Sequence, residues 1–363
     1  HLLTLEKEKV NGNLEDYCRN RRYDFFQELQ KKYNYQAVLL AHHGDDVAET
    51  TLKRILEGAH LPYLVGMKSI CKYRSLTVWR PLINNSKEEI TRFLKEKKHS
   101  YIDDYTNRDE KFLRAKMRGT IIPKLSKMFG KDVFDNLKVL STRSNTLKTY
   151  LDAKIKKALD NKKTSSFGAF VKIADLPSTE ELEITHLIKE VAKGEDIDLS
   201  RNVVDEVLGN IINKKNNSTV VVKNYDIIFD RGFLFFFKKN SFHIIKERLR
   251  LAVGSYSFGN WKVVVSKEEE SSSKKTITWQ DVWMGNFSIS LPFSEYYLAY
   301  PALGDRLKSN LRLKKHFIEN NIPAFLRFSI PVVYEKNDIF YEFLSGKITK
   351  IQLPLLRIEF REI

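Results

Sequence analysis

The 363-residue sequence predicts an α/β protein whose first domain is doubly wound around a parallel sheet. A helical pattern, a short apolar run at 35–40 and a second helical pattern at 45–57 follow one another, which is the element order of such folds. After residue 130 the pattern becomes helical and Lys-rich, and from Ser218 it becomes β. We therefore expect three domains: 1–130, doubly wound; 131–250, helical and then β-rich; and 251–363, small and α+β.

In the first domain, polar residues mark where helices begin. Asn13 is a candidate N-cap for a helix reaching about Tyr33, and Ser86 for a helix at 87–97. The run Tyr35–Leu40 predicts a strand buried on both faces, as in a parallel sheet. The remaining predicted elements are a strand at 76–82 and a helix at 111–129, with an acidic, turn-rich loop at 101–107 between the helices at 87–97 and 111–129.

The later part of the chain is predicted to be helical at 131–216 and mainly β afterwards. The run Phe233–Phe237 fits a buried core strand better than a surface for base stacking, because Phe is usually buried. Two strands at 261–265 and 276–279 would form a hairpin around the polar tract 268–275. Other predicted elements are strands at 219–222, 225–229, 331–334 and 339–343, and a helix at 313–320.

Composition narrows the function classes. Lys and Arg exceed Asp and Glu by 62 − 46 = 16, so a polyanionic partner is expected, nucleic acid first and an anionic membrane surface second. The alternative explanation of the positive charge is that the organism's proteins are generally rich in Lys. No apolar run approaches the ~20 residues of a spanning helix. Cys18 and Cys71 form no Cys-x-x-Cys pair, which excludes a zinc ribbon, an iron–sulfur cluster or a disulfide framework and makes a reducing cytoplasm the default.

One cluster of residues has the chemistry of an active site. His42, Asp46 and Glu49 are spaced so that they share one face if a helix begins near residues 43–45. They follow a predicted strand, where ligands of α/β sheets bind. Carboxylates there can hold Mg²⁺ with phosphates or grip an ammonium group. N-capping is an equal alternative for Asp45, and adjacent histidines disfavour zinc.

These residues resemble a known family. The run from Ala41 to Gly58 is similar to the second signature of the tRNA(Ile)-lysidine synthetases, a PP-loop ATP pyrophosphatase group. Further similar segments lie at both ends of the chain: 19–23, 64–67, 80–82, 104–107, 114–125, 304–306, 313–318, 322–323, 327 and 331–333.

The resemblance implies ATP-dependent ligation of L-lysine to the wobble cytidine of tRNA(Ile) with a CAU anticodon. ATP would first adenylate the cytidine C2 oxygen, and the lysine amine would then displace AMP. His42, Asp46 and Glu49 would be catalytic, and Asp45 and Asp46 would bind Mg²⁺. A homodimer is possible and no membrane is involved. The residues implied in binding substrate or tRNA are Arg19, Arg22, Arg80, Arg114, Arg118, Lys314, Lys315 and Arg327.

The sequence departs from the family in one respect. It contains no Ser-Gly-Gly-x-Asp-Ser run, the family's phosphate loop, and His1–Leu5 resembles the family's third strand region. We therefore expect an N-terminally incomplete catalytic domain, a sheet with an exposed edge and no ATP turnover by this chain alone. The alternatives are a non-catalytic tRNA-binding protein derived from such an enzyme, or another PP-loop tRNA modifier. A thiolase of the common Cys-x-x-Cys type is disfavoured by the cysteines.

Overall fold

A computed structural model describes residues 1–4, 14–102, 113–268, 276–346 and 355–362. The chain forms two compact units, His1–Tyr150 and Leu151–Ile363. This division is coarser than the three predicted domains, whose boundaries stay predictions. The predicted cap Asn13, the loop residues 103–107 and most of the tract 268–275 lie outside the described residues.

The first unit is mostly helical, and its helices begin close to where the sequence predicts. Ser86 caps the third helix: its hydroxyl accepts from the Glu89 amide at 3.1 Å, and Glu89 accepts from the Ser86 amide at 2.7 Å. The helices are α1 Leu14–Tyr33, α2 Gly44–Leu56, α3 Lys87–Glu96, α4 Leu113–Lys116, α5 Ile122–Phe129 and α6 Val133–Asp160, which continues into the second unit.

The sheet of the first unit has three strands, β1 Val38–Leu39, β2 Ile70–Tyr73 and β3 Leu76–Trp79. Its order is β1-β3-β2, with β1 parallel to β3 and β2 antiparallel to it. The predicted burial of the first strand on both faces is wrong, since Leu39 is 66% exposed. Within the described residues β1 pairs on one side only, so it is an edge strand of this sheet. Residues 1–4, part of the segment that resembles the family's third strand region, have no regular structure.

Two small cores hold the first unit together. Tyr23 of α1 packs against Leu76 and Val78 of β3. Ala48 and Leu52 of α2 pack against a second group, Met117, Ile122 and Leu137. The face of α2 opposite its charged residues is therefore fixed, and this orients the charged face.

The second unit contains helices on one side of a five-stranded antiparallel sheet, followed by two four-stranded sheets. The sheet orders are β4-β5-β8-β7-β6, β10-β11-β16-β12 and β15-β14-β13-β9. The helices are α7 Glu181–Gly194, α8 Arg201–Ile212, α9 Trp279–Trp283 and α10 Leu313–Glu319. The strands are β4 Lys163–Ser165, β5 Gly168–Lys172, β6 Ser218–Val222, β7 Tyr225–Asp230, β8 Phe233–Lys238, β9 Leu249–Leu251, β10 Gly254–Phe258, β11 Trp261–Glu268, β12 Asn286–Pro292, β13 Tyr296–Ala299, β14 Val332–Glu335, β15 Asp338–Tyr341 and β16 Leu355–Glu362.

The phenylalanine run forms β8, the central strand of the five-stranded sheet. Leu234 and Phe236 belong to the core shared with α7 and α8. Phe235 points the other way, into the core that contains Trp279 and Trp283. The prediction that this run is core rather than a stacking surface is confirmed.

Two predictions for this unit are wrong. The region 131–216 is not helical throughout, since β4 and β5 form a hairpin after α6. Residues 276–279 do not form the predicted strand: Thr278 is the N-cap of α9, and its amide donates to the Asp281 carboxylate at 2.9 Å. Strand β11 accordingly pairs with β10 and β16.

No described helix combines the length and apolar character needed to cross a lipid bilayer.

Candidate functional site

The predicted site residues lie where two parallel strands end. Helix α2 begins at Gly44, five residues after β1, and Arg80 directly follows β3. A side chain at position 44 would crowd the structure, since a Cβ there would lie 3.1 Å from the Asn85 carbonyl oxygen and 3.2 Å from Lys138 Cδ. The glycine therefore lets the start of α2 approach the segment after β3, at the sheet edge where ligands of α/β folds bind.

Asp46 and Glu49 share one face of α2, as predicted, and both are bound by Arg118. Arg118 Nη2 donates to Asp46 Oδ1 at 3.0 Å, and Arg118 Nε donates to Glu49 Oε1 at 2.5 Å. The carboxylates are 8% and 1% exposed, respectively. The second oxygen of Asp46 accepts from the His43 amide at 2.9 Å, which closes the first turn of α2.

Glu49 has an incomplete set of partners. Its Oε2 atom is buried and has no hydrogen-bond partner. Burial raises the pKa of the Glu49 carboxyl above its ordinary value, although Arg118 opposes the shift. A buried carboxylate oxygen without a donor is costly, so this atom is suited to receive an N–H or a proton from a ligand.

Arg118 reaches the carboxylates from a π-helical segment, Met117–Ile121, between α4 and α5. Such segments insert an extra residue into a helix and occur often at functional sites. The sequence predicts a helix over 111–129 but not this irregularity. Arg118, predicted to bind substrate or tRNA, is half-buried and paired with two carboxylates.

His42 is oriented by Arg80. The guanidinium Nε donates to His42 Nδ1 at 3.2 Å, and the same side chain donates to the Lys68 carbonyl at 3.0 Å. Burial and the arginines around it lower the pKa of the His42 imidazole, against an opposing effect of Asp46. Because Nδ1 accepts, a neutral His42 carries its proton on Nε2 and can donate from there. Arg80, predicted to contact substrate or tRNA, is itself buried.

A cavity of about 190 Å³ lies beside His42. The structure brings Arg19, Arg22 and Arg114 together around it, although the sequence places Arg114 on a different helix from the other two. Tyr23 and Phe26 form part of its wall. Three guanidinium groups and one imidazole donor make this cavity suitable for a phosphate group beside an aromatic surface.

The lining from α1 carries a signal that the sequence reasoning did not use. Cys18, Arg19, Arg22, Tyr23 and Phe26 recur at helical spacing and therefore form one stripe of α1. This stripe could have identified the cavity wall before the structure was known.

The predicted magnesium ligands point in different directions. Asp46 is engaged by Arg118 and the His43 amide, whereas Asp45 Oδ1 lies 3.4 Å from the Lys87 amide. Within the described ranges, the group of three potential ligands that comes close enough for a metal is elsewhere: Asp152, His186 and Glu190. The two aspartates thus offer at most part of a coordination shell, which fits Mg²⁺ held jointly with phosphates.

The predicted tRNA-binding residues of the second unit differ in their surroundings. Lys314 and Lys315 are exposed, and Lys315 lies 3.8 Å from Glu319. Arg327 is half-buried and donates twice to the Ile322 carbonyl, at 3.1 and 2.9 Å. Lys314 and Lys315 therefore remain available to an anion, while Arg327 also supports the local backbone.

Comparisons with known proteins indicate the family to which the chain belongs. A family model described as a PP-loop domain matches residues 3–125. A tRNA(Ile)-lysidine synthase of Protochlamydia amoebophila is 31% identical over 348 residues, covering 95% of this chain and 76% of the relative. That of Chlamydia muridarum is 33% identical over 229 residues, covering 60% and 70%. A solved structure described as the TILS C-terminal domain covers 32% of this chain and 98% of its own, at 15% identity and a TM-score of 0.23. Since the Protochlamydia relative is aligned over nearly the whole of this sequence, the chain belongs to the tRNA(Ile)-lysidine synthase family.

Proposed function

We propose that the protein catalyses ATP-dependent ligation of L-lysine to C2 of the wobble cytidine of tRNA(Ile) with a CAU anticodon, acting as a carbon–nitrogen ligase in the cytoplasm. The cytidine C2 oxygen attacks the α-phosphorus of ATP and pyrophosphate leaves. The lysine amine then forms a bond to C2 and AMP leaves with the oxygen. Adenylation is needed because it converts a poor leaving oxygen into a good one.

The observation that carries this proposal is the carboxylate pair of α2. Asp46 and Glu49 form a buried anionic site whose free acceptor, Glu49 Oε2, suits an ammonium group. Lysine must lose a proton before its amine can attack C2. A carboxyl group whose pKa is raised by burial is a suitable proton acceptor near neutral pH. Glu49 therefore binds and deprotonates the lysine amine, and Arg118 holds Glu49 in place.

The arginine-lined cavity serves the adenylation step. Arg19, Arg22 and Arg114 bind phosphate oxygens, and neutral His42 donates from Nε2 to the charge that develops there. Tyr23 and Phe26 provide the apolar wall for a base. Asp45 would help to hold Mg²⁺, which supplies neutralisation of phosphate charge when bound.

ATP turnover is expected to need a Ser-Gly-Gly-x-Asp-Ser segment, which residues 1–363 do not contain. Residues 1–363 alone then bind lysine and tRNA without releasing pyrophosphate. Lys314, Lys315 and Arg327 contact the tRNA acceptor arm in this proposal, and two copies of the protein can pair.

The test measures lysine incorporation into tRNA and pyrophosphate release in the same reaction. Protein extended by any in-frame sequence that its gene encodes before His1 is given Mg-ATP, labelled lysine and tRNA(Ile) with a CAU anticodon. We expect pyrophosphate release and lysine incorporation in equal amounts. The matched control is the same tRNA with uridine in place of the wobble cytidine, which should give neither. Pyrophosphate release that is independent of the tRNA would contradict the proposal.

A further inference from the structure

A second and larger cavity lies in the first unit, on a different side of α2 from the carboxylates. It is an open groove of about 640 Å³. Val47, the residue after Asp46, lines it, whereas Asp46 itself points to Arg118. None of the residues that line the groove belongs to the lysine and phosphate sites described above.

The charge of the groove is positive. Lys68, Lys138 and Arg143 line it, against one acidic residue, Asp135, whose Oδ1 lies 3.2 Å from Lys138 Nζ. Lys68 and Arg143 are exposed and can turn towards a ligand. A net excess of cations in a concave site attracts a polyanion more strongly than the same charges spread over a convex surface.

The groove follows the length of α6 rather than enclosing a small volume. Its lining from this helix runs from Asp135 to Asn145, ten residues and therefore about 15 Å. That is roughly the rise of four nucleotides along one strand of a helical nucleic acid. A strand with several phosphates fits this shape better than a single nucleotide does.

Two further features suit an RNA loop. Asn145 lines this groove, and its Oδ1 is a buried acceptor without a hydrogen-bond partner, which a turn of the side chain would offer to an amino or imino hydrogen of a base. Ile70 and Val139 also line the groove and are 62% and 41% exposed, so they offer an apolar surface to an unstacked base. Single-stranded loops are recognised by this combination of base edges and apolar contacts.

We propose that this groove binds the strand of the tRNA anticodon loop next to the target cytidine, with Lys68, Lys138 and Arg143 on its phosphates and Asn145 on one base edge. The proposal rests on the proposed function, since it takes tRNA as the substrate. It adds a surface that holds the loop while the target base enters the neighbouring catalytic site.

The experiment measures binding of a fluorescent anticodon stem–loop by anisotropy at several salt concentrations, without ATP or lysine. The triple variant Lys68→Gln/Lys138→Gln/Arg143→Gln should bind at least about tenfold more weakly, and its log–log salt slope should fall by about 2. The matched control, Lys53→Gln/Lys95→Gln/Lys127→Gln, removes three exposed lysines that do not line the groove and should keep the wild-type slope. Asn145→Ala should weaken binding without changing the slope.

Arg143→Gln alone changes one exposed side chain and keeps the test valid if the triple variant does not fold. Equal affinity and slope in the groove and control variants would overturn the proposal. The proposed function is judged separately by lysine incorporation. If the groove variants lose RNA affinity but the wild-type protein forms no lysidine, the groove proposal is supported and the proposed function is contradicted.

Discussion

In the proposed function, Glu49 is the residue on which the lysine chemistry depends most. It is almost fully buried, one of its oxygens is fixed by Arg118, and the other has no partner. The same burial that raises its pKa makes it a better base than an exposed glutamate, while Arg118 keeps it in one orientation. Changing its charge without changing its shape therefore removes both the attraction for an ammonium group and the proton acceptor.

We expect Glu49→Gln to weaken L-lysine binding at least about tenfold, because an amide loses the charge that attracts the ammonium group. Isothermal titration calorimetry measures the lysine affinity. Glu57→Gln, at the other end of α2, is the control and should keep the wild-type affinity. Wild-type affinity should fall as the pH drops through the raised pKa of Glu49, and the variant should lack that inflection.

The same pKa shift has a consequence for stability. The folded-state pKa of Glu49 is raised, so the stability it contributes is complete below the ordinary pKa of a glutamate and is lost as the pH rises through the raised value. The unfolding free energy of the wild type should therefore decline relative to Glu49→Gln over that pH range, measured by urea unfolding. If the unfolding free energy of the wild type instead increases relative to Glu49→Gln as the pH rises, the raised pKa of Glu49 is contradicted.

Arg118→Gln should lower the free energy of unfolding by about 3–5 kcal/mol, because it leaves two buried carboxylates without their cation. Combining it with Glu49→Gln should recover part of that loss, since only Asp46 then remains charged. Arg114→Gln, four residues earlier, serves as the control and should cost much less. Urea unfolding of all four proteins checks this, and equal losses for the two arginines would contradict the role of Arg118.

The sequence predicts some of these residues and not their contacts. The spacing of Asp46 and Glu49 is local, so helical periodicity alone places them on one face. Arg118 is 72 residues from Asp46, and Arg80 is 38 residues from His42. No local pattern encodes such pairs, because they depend on how helices and strands pack.

At the scale of elements, the π-helical segment determines where Arg118 points. Deleting Gly119 should restore a regular helix and turn Arg118 away from the carboxylates, which lowers the melting temperature of the first unit by about 6 °C or more. The control is Gly119→Ala, whose added Cβ meets nothing within 4 Å and should leave stability unchanged or improve it by up to about 1 kcal/mol. Differential scanning calorimetry measures the melting temperatures of both variants. Similar values for the deletion and for Gly119→Ala would contradict the role of the π-helical segment in placing Arg118.

Capping patterns show why some elements are predictable and others are not. Ser86 is followed by Glu89 and an apolar stripe, so the start of α3 is encoded locally. Thr278 and Asp281 carry a similar signal, but the aromatic residue between them favours a strand in a propensity-based prediction. Strands β4 and β5 are short and follow a long helix. The composition of the whole region is therefore dominated by the helix and does not predict these two strands.

For the whole molecule, the net charge of +16 predicts that tRNA binding weakens steeply with salt. Lys314→Gln/Lys315→Gln should lower the log–log salt slope for full-length tRNA by about 1.4–1.8, one phosphate contact for each lysine. Filter binding at several KCl concentrations measures this. The control pair is Lys156→Gln/Lys157→Gln, two exposed neighbours on α6, which should keep the slope of the wild type.

The central strand β8 has a consequence for how the second unit can be divided. Its alternate residues belong to two different cores, one with α7 and α8 and one with α9 and the later strands. A protein shortened to 251–363 would therefore lose β8, which packs against Trp279 and Trp283. These aromatic side chains would then be exposed to solvent. Such a fragment should bind a hydrophobic dye and self-associate, whereas 151–363 should melt as one cooperative block.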